Sequence, residues 1–76
     1  MSLTKIASVD PHSPARKAGV RPGETLTHIN GHPIVDVLDY KFYAYDPKLE
    51  LTLTEPEGGS RTLRIRKEEG EDLGLN

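Results

Sequence analysis

The residues able to do chemistry are few. His28 and His32 stand four apart, the spacing that sets two zinc ligands on one helical face. The Asn30-Gly31 turn between them breaks any such helix, and no carboxylate-rich motif completes a coordination set, so both read as polar surface histidines. Asp36 and Asp39 have the types of an acid–base pair, but Asp36 sits where a helix N-cap belongs and Asp39 in the first turn, where negative charge is favourable. Ser8, Ser13 and Ser60 lack the Gly-x-Ser-x-Gly frame of a nucleophile. Gly19, Gly23 and Gly31 are followed neither by Gly-Lys-Ser/Thr nor by the long helix of a phosphate loop. The arginines of the last strand and Lys67 read as facing water opposite glutamates rather than as an anion site. No catalytic residue, cofactor ligand or metal ligand is assigned.

Composition narrows the classes further. The chain has 76 residues, 34% of them hydrophobic and 29% charged, with a net charge of −2. That is one domain with a small core. The absence of cysteine excludes a disulfide, a thiolate metal site and a protein-ligated iron–sulfur cluster within these residues. Ten Lys+Arg against twelve Asp+Glu provide no electrostatic footprint for nucleic acid or anionic lipid. No apolar run approaches the roughly 18 residues of a membrane span, and no signal-like opening is present, so a cytoplasmic location is expected.

The elements that must position any site read as follows. Residues 1–3 are taken as a lead-in or expression scar, leaving a domain over 4–76. Thr4 to Val9, with Ile6 and Val9 as its larger apolar residues, predicts a strand. Asp10 to Pro14 stops it. Ser13 and Pro14 then start one short helical turn that Gly19 ends. Gly23 turns the chain into a strand over Glu24 to Ile29, where the three-residue spacing of Leu26 and Ile29 predicts a bulge. Asn30-Gly31 turns out of it, and His32-Pro33-Ile34 reads as an extended link. From Asp36 to Tyr45 the period becomes helical, with Val35, Leu38, Phe42 and Tyr45 predicted on the buried face. Leu49, Leu51 and Leu53 alternate with polar residues, as do Leu63 and Ile65, which predicts a hairpin closed by the turn from Glu55 to Ser60. The fold class is mostly β with two helices, α+β.

The stretch from His12 to Ile34 closely resembles the middle of PDZ domains: Ser13-Pro14-Ala15, then Ala18-Gly19-Val20, then Gly23-Glu24, then Ile29-Asn30-Gly31. Glu24 stands where that family usually has aspartate. The resemblance implies a small, partly open β-barrel or sandwich that binds an extended peptide by adding it to a sheet edge beside the longer helix. In that family a Gly-Leu-Gly-Phe-type loop before the binding strand holds a peptide carboxylate on backbone N–H groups. The similar stretch here is Asp72-Leu73-Gly74-Leu75, near the end of the chain, so the order resembles a circularly permuted PDZ domain truncated at its C-terminal strand. By Asn30-Gly31-His32-Pro33-Ile34 and Asp36-Val37-Leu38-Asp39-Tyr40-x-Phe42 it is similar to the N-terminal module of a family of bacterial iron–sulfur, radical-SAM-related proteins.

What the resemblance implies is a non-catalytic module. Its groove would be built from backbone donors around Leu73, Gly74 and Leu75, with an exposed helix flank at Asp39, Tyr40, Tyr43 and Ala44 as the other wall. The same leucines would equally serve as a plug for the end of the core. The partner is a protein or peptide segment or the rest of the module's own chain, as in a structural or regulatory domain of an iron–sulfur oxidoreductase whose cluster lies elsewhere. An unpaired sheet edge also predicts pairing with a second copy.

Overall fold

The computed structural model describes residues 5–76. The proposed lead-in, and Thr4 at the start of the first predicted strand, lie outside them. Helix α1 (Pro14–Ala18) is followed by strands β1 (Thr25–Ile29) and β2 (His32–Pro33), helix α2 (Val37–Tyr43), and strands β3 (Lys48–Thr54) and β4 (Ser60–Arg66). The strands form one antiparallel sheet in the order β2-β1-β3-β4.

Local chemistry accounts for most of these elements. The Ser13 hydroxyl accepts from the Arg16 N–H at 3.2 Å, Pro14 occupies the first helical position, and Gly19 closes α1 at φ 98°. Between Leu26 and His28 the register of β1 against β3 shifts, so the bulge lets Leu26 and Ile29 both point inward. Asn30 and Gly31, at φ 52° and 81°, make a tight hairpin turn into β2, which pairs with β1 through Ile29 opposite His32. The segment expected to be a mere link is therefore a short edge strand. Lys48 to Thr54 pairs with Ser60 to Arg66 without interruption, as the alternation predicts. Leu26, Ile29, Leu51, Leu53 and Leu73 form the fully buried centre.

Three expectations are corrected. Residues 5–9 make no continuous strand; they contribute two isolated bridges, Lys5 to Thr25 and Val9 to Leu75. Ile6 and Val9 are both buried three positions apart, which an alternating strand does not allow, so the chain leaves one partner and meets another between them. Helix α2 starts on its predicted cap but ends at Tyr43, before Asp46-Pro47, and it is rotated from the predicted phase. Val35, Leu38, Phe42 and Tyr45 are 62%, 76%, 74% and 56% exposed, while Tyr40, Tyr43 and Ala44 pack on the core. The helix carries apolar residues on two faces, and periodicity alone does not choose between them. The third correction concerns Arg61, which turns to a buried partner instead of lying open to water.

Strand alternation places Arg61 on the same side as Leu63 and Ile65, at the end of the sheet, where it meets Glu24. Glu24 is 3% exposed and takes both the Arg61 Nε at 2.8 Å and an Arg61 terminal nitrogen at 2.9 Å. It also accepts from the Arg21 N–H at 2.8 Å, while Arg61 donates to the Gly19 carbonyl at 2.6 Å. One bidentate pair thus joins the end of α1, the entry to β1 and the edge strand β4. The Arg61 hydrogen bonds, opposed by burial and aided by the Arg21 N–H, hold the Glu24 carboxyl below its ordinary value of 4.5.

Glu24→Gln or Arg61→Met is expected to cost on the order of 3 kcal/mol, the low end for breaking a buried pair because Arg61 keeps some solvent contact. Because the folded-state pKa of Glu24 is depressed, its contribution is complete above the ordinary value of 4.5 and is lost as pH falls through the folded value. Thermal melts by circular dichroism from pH 7 downward should show a steeper acid loss in the parent chain than in Glu24→Gln. Equal slopes would remove Glu24 from the acid response.

Candidate functional site

The residues after β4 return to the start of the chain. Asp10 N–H donates to the Gly74 carbonyl at 2.8 Å and Asn76 N–H to the Ser8 carbonyl at 3.0 Å, on either side of the Val9–Leu75 bridge. The Asn76 side chain adds a bond to Asp10 Oδ1 at 2.8 Å. Backbone groups alternate sides along an extended strand, so the N–H and C=O of Leu75 turn away from residues 7–10. They turn toward a groove of about 350 Å³.

Ile6 and Leu26, 3% and 2% exposed, form the apolar floor of this groove. Val37, Tyr40 and Lys41 of α2, one helical face at i, i+3 and i+4, make one wall. Asp72, Leu75 and Asn76 make the other, with Lys5 at the rim. The rotation of α2 that exposes Leu38 and Phe42 is what brings Tyr40 to the groove. Reciprocal caps hold that end of the helix: Asp36 accepts from the Asp39 N–H and Asp39 from the Val35 N–H, each at 3.0 Å.

The Tyr40 hydroxyl is buried and makes no hydrogen bond among the described residues; the Leu75 N–H lies near it but off hydrogen-bonding geometry. Burial, then the negative charge of Asp72, pushes this hydroxyl up to about 12, so it remains a neutral donor at neutral pH. The Asp72 carboxylate turns back to accept from the Gly74 N–H at 3.1 Å. Gly74 itself sits at φ 88° against Ser13, and a Cβ there would collide with the Ser13 side chain. The Leu73 carbonyl accepts from the Ala15 N–H at 3.1 Å, satisfying a free donor of the first turn of α1.

The predicted site residues therefore divide. Tyr40 and Leu75 come together in the groove. Leu73 is 1% exposed and its side chain fills the core, Gly74 supplies a close backbone approach, and Asp39 is committed to the helix cap. Tyr43 stacks on His32 with ring centroids 4.5 Å apart, at a separate depression, and Ala44 is buried. The flank expected to be exposed is thus largely packed. Lys5, Ile6, Leu26, Val37 and Lys41 were not anticipated; the i, i+3, i+4 spacing of Val37, Tyr40 and Lys41 was the available signal. His28 and His32 lie on opposite faces of the β1–β2 hairpin, since His32 is opposite the buried Ile29. Among the described residues no group of three or more His, Asp or Glu could hold a metal ion, and no helix is long and apolar enough to cross a membrane.

A family model described as PDZ domain matches residues 5–55, which takes in α1, β1, β2, α2 and β3. Strand β4 and the loop at residues 72–75 lie beyond the match. No curated protein matches the chain.

Gly74→Ala combines a strained φ with the Ser13 collision and is expected to cost more than about 2 kcal/mol, whereas Gly19→Ala, strained but uncrowded, should cost about 1 kcal/mol. Urea unfolding of both variants gives the comparison, and equal losses would mean that the approach to Ser13 is not tight. Tyr40→Phe removes a hydroxyl that has no partner among the described residues, so stability should change by less than about 1 kcal/mol or rise. A larger loss in the same assay would reveal a bond that the folded chain makes.

Proposed function

The chain belongs to the PDZ domain family of non-enzymatic protein-interaction modules, and we propose that its groove takes an extended protein segment by strand addition at Leu75. The observation that carries this reading is the direction of the Leu75 backbone. Its N–H and C=O turn into a groove with an apolar floor and a helical wall, the arrangement that strand addition requires. The Val9–Leu75 bridge also supports a permuted order, in which the loop at residues 72–75 and the start of the binding edge follow β4 instead of preceding α1.

A second reading is favoured by the outer face of α2. Leu38 and Phe42 are about three-quarters exposed, at 76% and 74%, and lie on the side away from the groove. On this reading the module docks on another part of a longer chain through that face, the structural or regulatory role that its resemblance to the iron–sulfur family implies.

A displayed library of random peptides, followed by titration of isotope-labelled chain with the selected peptides, distinguishes the two. Strand addition predicts amide shifts at Leu75, Val37 and Lys41, and at least about tenfold weaker binding by Val37→Glu, whose side chain is 55% exposed and is therefore replaceable without loss of the fold. Shifts confined to Leu38 and Phe42 would replace the groove by the outer face.

A further inference from the structure

We propose that the groove prefers an internal stretch of its partner to a free C-terminal carboxylate, because Asp72 already holds the Gly74 N–H and presents its own negative charge there. The inference rests on the strand-addition reading and specifies the ligand class. The Gly74 N–H, a loop donor that a carboxylate would need, donates at 3.1 Å to Asp72 Oδ1, and its carbonyl is bonded to Asp10. An incoming carboxylate would have to displace the Asp72 side chain and then lie beside it, and like charges brought together in a partly desolvated cleft repel. Asp72 faces the groove rather than only the loop: it lines the cavity, and its charge acts on the Tyr40 hydroxyl.

The remaining polar groups suit a neutral ligand. The Leu75 N–H and C=O are a neutral donor and a neutral acceptor on one wall of the groove. Together they match the alternating C=O and N–H of a continuing peptide backbone. Lys5 and Lys41 line the same cleft, but both are exposed, so their ammonium groups stay in water at its rim.

Peptides selected for binding to the chain are prepared in three forms: free acid, C-terminal amide, and embedded between Gly-Ser flanks. Fluorescence anisotropy should show the amide and embedded forms binding at least as tightly as the acid. Asp72→Asn, which keeps an acceptor for the Gly74 N–H and removes the charge, should raise acid affinity about tenfold relative to amide. A parent chain that binds the free acid about tenfold more tightly than the amide overturns the inference and leaves the groove reading standing. An acid-to-amide ratio unmoved by Asp72→Asn also overturns it. If no form shifts the Leu75 amide signal, the strand-addition reading itself fails and the inference falls with it.

Discussion

The Glu24–Arg61 pair is the constraint on which the geometry of the rest depends. Strand β4 is an edge, α1 is only five residues long, and the turn at Arg21 to Gly23 has little apolar surface of its own. Each would be marginal alone, since one turn of helix lies well below the length at which isolated helices persist. The bidentate contact reaches all three: Glu24 receives Arg61 from β4 and the N–H of Arg21, and Arg61 extends to the carbonyl of Gly19. Because both charges are tied by several hydrogen bonds, the desolvation cost of burying Glu24 is offset by specific geometry rather than by charge alone. The pair also gives a physical use for a glutamate where the family usually has aspartate, since the longer side chain can accept from Arg61 and the Arg21 backbone at once.

The groove follows from how α1 is held. Its first-turn N–H at Ala15 takes the carbonyl of Leu73, and Ser13 packs so close to Gly74 that only a glycine fits there. The segment from Leu73 to Asn76 is thereby laid against residues 7–10, with the Leu73 side chain in the core and the Leu75 backbone turned out. A core plug and a groove wall are thus alternate residues of one strand-like segment, Leu73 and Leu75. The two roles considered for the leucines from sequence are not alternatives: Leu73 plugs, and Leu75 lines the cleft.

Features encoded locally were legible in the sequence. Ser13-Pro14, Gly19, Asn30-Gly31 and the Asp36 cap each specify a turn or terminus within a few residues, and the alternating leucines of β3 leave one register available. What escaped depends on contacts distant in sequence. The rotation of α2 is decided by its neighbours, because Tyr40, Tyr43 and Ala44 form as good a helical face as Leu38, Phe42 and Tyr45. Arg61 was in phase with Leu63 and Ile65, and that alternation was a readable sign that it points inward. Its charge argued for water only so long as the buried acid across the sheet, 37 positions earlier, was not considered. The loop at residues 72–75 was located by its resemblance, but the direction of the Asp72 carboxylate required the folded backbone.

The Tyr40 hydroxyl carries a cost in stability. In a domain this small, total stability is only several kcal/mol, and a buried polar group without a partner takes roughly 1–3 kcal/mol of it. Phenylalanine would supply the same ring at α2 without that penalty. The same chain satisfies its other buried oxygens thoroughly, with Ser13 both donating to the Asp10 carbonyl and accepting from the Arg16 N–H, and Glu24 accepting three times. A hydroxyl without a partner among the described residues is therefore not a general looseness of the fold. On the proposed strand addition, a carbonyl oxygen brought to the groove would reach this hydroxyl only with a shift of the Tyr40 ring, because the hydroxyl itself is buried.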